Sequence, residues 1–182
     1  LSCNTNLITN VDVTSCTVLE NLSLQGNQLT QLDVTNNLVL RVLTLDSNSI
    51  NSLDISNNLS LEVFSISTNQ ITNIDVSSHL LLENLSLSNN PIVSLDLSNN
   101  VNLNYFWAND CNLNELDIRN GNNSTMGVFN FRVQNNPSLT CISVDDTSYS
   151  SSTWLLIDPQ HYFSDDCNLS PTTGCTDSLA LN

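Results

Sequence analysis

Cys141, Asp158 and His161 are the residue types that make a nucleophile, an orienting acid and a general base. Assembled, they would support acyl transfer through a thiolate. No glycine-rich turn that could supply an oxyanion hole accompanies them. His79 has no companion base or nucleophile and stands at a repeated position otherwise held mostly by asparagine, which reads as a hydrogen-bonding substitution. Cys3, Cys16, Cys111, Cys141, Cys167 and Cys175 are scattered, without the CxxC or Cys/His spacing of a zinc site. The types needed for catalysis are present without the arrangement, so the chain reads as a non-enzyme with no cofactor.

The acidic residues, in contrast, are arranged. Asp12, Asp33, Asp54, Asp75, Asp96 and Asp117 follow one another at steps of 21 residues. They alternate with apolar residues, so on a strand they face outward, in a row spaced by about 4.8 Å. Like charges so placed repel. Thr14, Thr35, Ser56, Ser77 and Ser98 on one side, and Asn10, Gln31 and Asn73 on the other, can donate hydrogen bonds to them. Weakly associated Ca²⁺ could bridge neighbours, although carboxylates in a straight line build no full coordination shell. The expectation is a hydrogen-bonded row with loose cation association and no dedicated metal site. Repulsion is expected to raise the pKa of the inner members, Asp54 and Asp75.

A third group has binding chemistry. Ser2, Ser23, Thr44, Ser65, Ser86, Trp107 and Arg132 form one outward column, and Tyr105 points outward beside Trp107. An exposed aromatic pair beside an arginine can anchor a sugar ring or a protein partner. The alternative is that the rings merely pack beneath a polar insert at 120–128, and their nearness to it weighs towards packing.

These columns presuppose a repeat that positions them. Asn6, Asn27, Asn48, Asn69 and Asn90 keep the step of 21, with Cys111 next; so do Leu22, Leu43, Phe64, Leu85 and Phe106. Within each unit L-x-x-L-x-L-x-x-N occurs twice, as Leu19, Leu22, Leu24, Asn27 and again as Leu29, Leu32, Val34, Asn37. Alternation at Leu22-Ser23-Leu24 and Leu32-Asp33-Val34 is that of a strand buried on one face. No run has the spacing of a crossover helix. The predicted fold is a flattened β-solenoid with a short strand on each side and two facing parallel sheets. Inward asparagines are expected to pair the corner backbone and to bond one another. The second corner reads Cys16, Asn37, Asn58, His79, Asn100, Gly121.

The formal net charge is −15, with no lysine and three arginines, Arg41, Arg119 and Arg132. Such a surface repels phosphate backbones and anionic lipid, which argues against nucleic acid and membrane surfaces as partners. No apolar run reaches the length of a membrane span. The absence of lysine and the wealth of Asn and Thr lean towards export. Leu1-Ser2-Cys3 already sits inside a repeat, so the chain reads as a fragment of a longer one.

Residues 1–118 resemble the leucine-rich repeat superfamily, in its 21-residue class with a nested ten-plus-eleven period. After Ile118 the register breaks, and residues 119–167 read as a last turn and C-terminal cap. This stretch is similar to the closing segments of flavobacterial repeat proteins, through NGNNSTM (120–126), NNPSLTCISVDD (135–146), Trp154, Tyr162, Phe163 and Cys167. The resemblance implies export, often by the type IX route, and a Cys141–Cys167 disulfide bracketing the cap. Cys111 is expected to be a buried thiol, and the pairing of Cys3 and Cys16 stays open. Residues 168–182 look like a linker and the start of a truncated disulfide-type repeat, with Cys175 expected to lack its partner. The functional expectation is an extracellular or cell-surface module for binding, adhesion or display, with a protein or glycan ligand. The alternative is a stalk, or a subunit that self-associates end to end. Ice binding fits poorly, since one hydroxyl column alone is maintained beside Gln25, Asp46 and Ser67.

Overall fold

The computed structural model describes residues 1–167. Its elements are β1 (Asn21–Ser23), β2 (Val42–Thr44), β3 (Val63–Ser65), β4 (Asn84–Ser86), β5 (Ser94–Asp96), β6 (Tyr105–Trp107), β7 (Glu115–Asp117), β8 (Phe131–Arg132), β9 (Cys141–Ser143), α1 (Thr147–Thr153) and β10 (Tyr162–Ser164). All strand pairs are parallel. One sheet runs β1-β2-β3-β4-β6-β8 and the other β5-β7-β9-β10. A bridge from Ser2 to Ser23 extends the first sheet.

The step of 21 is written into the pairing, where Leu22 faces Leu43, Leu43 faces Phe64, Phe64 faces Leu85 and Leu85 faces Phe106. These middle residues are fully buried and stack into one continuous core with Leu24, Leu45, Ile66 and Leu87. Their flanks on each strand are exposed or half-buried, as alternation requires. The next pairing is Phe106 to Phe131, so the polar insert lies between two consecutive strands of the same sheet.

The second sheet is shorter than the sequence leads one to expect. Its strands begin at β5, and segments 32–34, 53–55 and 74–76 of the earlier turns form no ladder. Corner bonding is the same in turns that pair and in turns that do not: Val34 O accepts the Asn37 N–H and the Asn58 side chain, and Ile118 O, just after the paired β7, accepts the Asn120 N–H and the Asn123 side chain.

In the regular columns the corner asparagines bond to backbone and not to one another's side chains. Asn69 Nδ2 donates to Leu45 O and Ile66 O at 3.0 Å each, and its Oδ1 accepts the Ile50 N–H at 2.9 Å. Each thereby ties two consecutive turns of the coil. At the second corner Asn58 Nδ2 donates to Val34 O and Asn37 O. In the sixth turn that role passes to Asn120, which donates to Asn100 O, and not to the Gly121 position.

One regularity was not anticipated. Thr5, Gly26, Ser47, Thr68, Asn89, Asp110 and Asn135, each just before a first-corner residue, have φ between 55° and 68°. This left-handed conformation turns the chain so that the following side chain points inward. It costs a β-branched residue most. Thr68→Gly is therefore expected to raise stability by about 0.5–1 kcal/mol, after the added freedom of the unfolded chain is subtracted. Urea denaturation would measure it, and a loss of stability would show that the Thr68 side chain contributes more than its backbone costs.

The end of the coil is closed by α1, which was also not expected. Asp146 caps it, accepting the N–H groups of Ser148 and Tyr149. Trp154, fully buried just after the helix, stacks on Phe131 at 4.1 Å between ring centroids and meets Phe163 edge-on at 5.8 Å. The Trp154 indole N–H and the Tyr149 hydroxyl both donate to Met126 O, which fastens the insert to the cap. Cys141 in β9 is joined to Cys167 by a disulfide. Cys3, Cys16 and Cys111 are thiols, and Cys111 is buried. Cys175 and the rest of the 168–182 tail lie outside the described residues.

Candidate functional site

The outer face of the six-stranded sheet carries the column of small hydroxyl residues. Ser23 Oγ accepts from Thr44 Oγ1 at 2.7 Å, and Ser67 Oγ lies 2.8 Å from Ser86 Oγ. The Asp46 carboxylate accepts from Ser65 Oγ and from the Ser67 N–H, so this acid is spent on the face itself. At β6 the column changes character. Tyr105 and Trp107 stand together with centroids 4.6 Å apart and an interplanar angle of 39°. They wall a shallow cleft of about 280 Å³ whose floor is Val63, Ser65, Asn84 and Ser86.

Arg132, the register partner of Trp107 on β8, places its guanidinium carbon 4.1 Å from the indole centroid. The structure thus brings Tyr105, Trp107 and Arg132 into one cluster. It also ties two of them to the insert, because the Trp107 indole N–H and the Arg132 Nε–H both donate to Phe129 O. The rings line an open cleft on one side and touch the insert on the other. Burial pushes the Tyr105 hydroxyl pKa upward, and the nearby Arg132 opposes this. The sequence reading missed Phe129, 67% exposed, which with Val128 extends the apolar surface beyond the cluster. The signal was the apolar pair Val128-Phe129 at the end of a mostly polar insert.

The aspartate row behaves differently from the expectation of repulsion. The Oδ1 atoms of Asp12, Asp33, Asp54, Asp75 and Asp96 accept the N–H of the residue two places on, at 2.9–3.0 Å. Thr14 and Thr35 add hydroxyl bonds to Asp12 and Asp33. Hydrogen bonding from Ser56 and Ser77 holds the pKa of Asp54 and Asp75 below the ordinary 3.8, not above it. At Asp33 the bonds from Thr35 also win, and repulsion from Asp12 and Asp54 is the smallest influence. Asp117 is held down chiefly by its hydrogen bonds from Arg119. Donors in direct contact outweigh charges that act on one another through water. Among the described residues no group of three or more His, Cys, Asp or Glu side chains is placed to hold a metal.

The sign of the pH dependence reverses accordingly. A carboxylate with a depressed folded pKa contributes stability above its unfolded value and loses it as pH falls through the folded value. The melting temperature is expected to stay level between pH 7 and 5 and to fall below about pH 4. A thermal series in which Tm rises on mild acidification would restore the repulsive picture.

The catalytic types do not form a catalytic group. Cys141 is oxidised in its disulfide. Burial pushes Asp158 upward, but the N–H groups of Asn135 and Asn136 and the adjacent His161 together hold its pKa below the ordinary value. Its two oxygens accept those N–H groups at 2.8 Å each, and the buried His161 braces the same turn, Nδ1 accepting the Asp158 N–H. His79 is a buried corner residue, its Nε2 3.1 Å from Ile55 O. Among the described residues no helix is long and apolar enough to cross a membrane.

A parallel coil of this step, with inward leucines and a corner asparagine in each turn, is a leucine-rich repeat solenoid. Solved structures bear this out. The chain is similar to the functional domain of InlJ from Listeria monocytogenes, described as including a cysteine ladder, with 27% identity and a TM-score of 0.65. That match covers 90% of this chain and 38% of InlJ. The internalin InlF of the same organism follows at 21% identity and TM-score 0.61, over 89% of this chain and 46% of that one. A leucine-rich repeat protein of Leptospira interrogans matches at 18% identity and TM-score 0.54, over 88% of this chain and 54% of its own. The chain thus spans from under two fifths to just over half the length of these neighbours. No protein-family model matches the sequence, and no curated protein matches it.

Proposed function

We propose that the chain is a protein-binding module of an exported bacterial protein, of the 21-residue repeat class with a flavobacterial-type cap. It engages its partner through the outer face of the six-stranded sheet, and Tyr105, Trp107 and Arg132 are the anchors. The observation that carries this reading is the aromatic wall beside the cleft. Trp, Tyr and Arg are the side chains that dominate protein interfaces. The neighbouring hydroxyl column offers hydrogen bonds with little side-chain entropy to lose. A protein ligand is favoured over a glycan because Arg132 lies over the indole, on a ring face that a sugar would need. The internalin neighbours and the disulfide support an extracellular setting.

A peptide-display selection on the immobilised chain tests this. Peptides enriched on the wild type should lose about 30-fold or more in affinity on Trp107→Ala, the effect of removing a hot spot worth about 2 kcal/mol. The melting temperature of that variant should stay within a few degrees of the wild type. Retained binding, or a collapse of the fold, would assign the rings to packing under the insert.

A further inference from the structure

At the edge where the chain turns back into the six-stranded sheet, Leu38, Leu59, Leu80 and Val101 are 51–57% exposed, one in each of four consecutive turns. Val18, Val39 and Leu81, exposed as well, widen the stripe. The fold does not require them. The residues two places after the first column, Leu40, Leu61, Leu82 and Leu103, are fully buried and fill the core. In the first turn the same place is held by exposed Thr17, so the corner accommodates a polar side chain. A contiguous aliphatic row kept in solvent over four turns is the mark of a covered surface.

Charge decides what covers it. The corner residues on either side of the row, 36–39, 57–60, 78–81 and 99–102, include no carboxylate. Five residues before each member of the row stands an aspartate, Asp33, Asp54, Asp75 or Asp96, all exposed. On the other flank lie Glu20, Glu62 and Glu83, with Arg41 engaged by Glu62. The stripe is thus a neutral apolar ridge between an unbroken aspartate row and a second, net-acidic row of Glu20, Arg41, Glu62 and Glu83. A second copy of this chain would bring acidic rows against acidic rows, and an anionic lipid surface would be repelled. A partner with basic flanks is attracted.

Pitch decides its shape. Successive members of the row lie one strand spacing apart, about 4.8 Å. A helix laid along the ridge offers one side chain per turn every 5.4 Å, so four contacts drift by about 2 Å in all. An extended strand along the same line offers one side chain per face every 6.6–6.8 Å and drifts by about 6 Å. We propose that this edge is a docking surface for an amphipathic helix of a partner protein, with an aliphatic face flanked by lysine or arginine. It is separate from the Tyr105–Trp107 cleft and does not depend on that reading.

The probe is a synthetic amphipathic helix of about 15 residues, with leucine along one face and lysine on its flanks, and a twin with glutamate for lysine. Fluorescence anisotropy with the whole chain should show binding of the leucine/lysine peptide that weakens with salt, and no binding of the glutamate twin. Leu59→Ser combined with Leu80→Ser, which leaves every charge in place, should weaken the peptide at least 10-fold with the melting temperature held. Glu20→Gln with Glu83→Gln should weaken it at low salt, and Trp107→Ala should leave it unchanged. Equal binding to the double-serine variant would mean mere attraction of a polycation to an acidic chain, and would overturn the proposal. So would a loss in Trp107→Ala. A dimer in sedimentation, or uptake by phosphatidylcholine vesicles, that the double-serine variant abolishes would overturn it too, in favour of a second copy or a lipid.

Discussion

Replacing Trp154 by alanine is expected to destabilise the capped end of the solenoid by about 3–5 kcal/mol. The ring is fully buried and stacked on Phe131, which in turn leans on Phe106 at 5.9 Å. Its removal leaves a cavity between the cap helix and the last full turn. The hydrogen-bond loss is the smaller part, because Met126 O keeps the Tyr149 hydroxyl at 3.1 Å. In a stack of repeats each turn touches its neighbours alone, so the loss should not spread evenly. Hydrogen exchange is expected to show α1, β9 and β10 losing protection while β1–β4 keep theirs. The Cys141–Cys167 bond, closing a separation of 26 residues, limits how far the opened cap can stray. A single transition shifted as a whole, with protection lost equally in β1 and β10, would show that the coil and cap fold as one unit.

Much of the fold was legible because it repeats. A column such as Leu22, Leu43, Phe64, Leu85 and Phe106 states its own register, and the register is the sheet. What repetition could not convey is where each polar group turns. The asparagine columns are plain in the sequence. That Asn69 would reach the backbone of the preceding turn at two points, and not the next asparagine, follows from the distance a short side chain can span at a corner. The left-handed positions Thr5, Ser47 and Thr68 also repeat, but in residue types that do not advertise that conformation. Helix α1, Thr-Ser-Tyr-Ser-Ser-Ser-Thr, has poor intrinsic propensity and no apolar period, and it forms because Asp146 caps it and Trp154 docks. At the candidate site the rings and the arginine could be named from their column. Their attachment to Phe129 O could not, because a backbone carbonyl on an insert carries no sequence signal.

The two corners make different demands on asparagine, and substitution should separate them. At the first corner Asn69→Ala removes two donated bonds of 3.0 Å, a longer one to Ser67 O (which keeps the Ser47 N–H), and also the acceptor for the Ile50 N–H. Leu45 O and Ile66 O keep a second donor, from Asn48 and Asn90, so the orphaned group is the buried N–H. Two bonds at about 1 kcal/mol each and one orphaned donor at about 1–3 give a loss of about 3–5 kcal/mol. At the second corner Asn58→Ala also removes two donated bonds, to Val34 O and Asn37 O. Both carbonyls still accept a backbone N–H, from Asn37 and Leu40. The buried Asn58 Oδ1 has no hydrogen-bond partner among the described residues, so its removal recovers part of the loss. The net cost there is expected to be about 1 kcal/mol. The chain contains its own control for this argument. Where Cys111 interrupts the first-corner column, the N–H that an asparagine would have served, Ile92, bonds to Asn90 O at 2.8 Å instead. Ile50 has no such substitute among the described residues. Urea denaturation of the two variants measures the difference directly. Equal losses, or a larger one at Asn58, would mean that the acceptor end of the corner asparagine does not matter and that the donated bonds alone hold the turns in register.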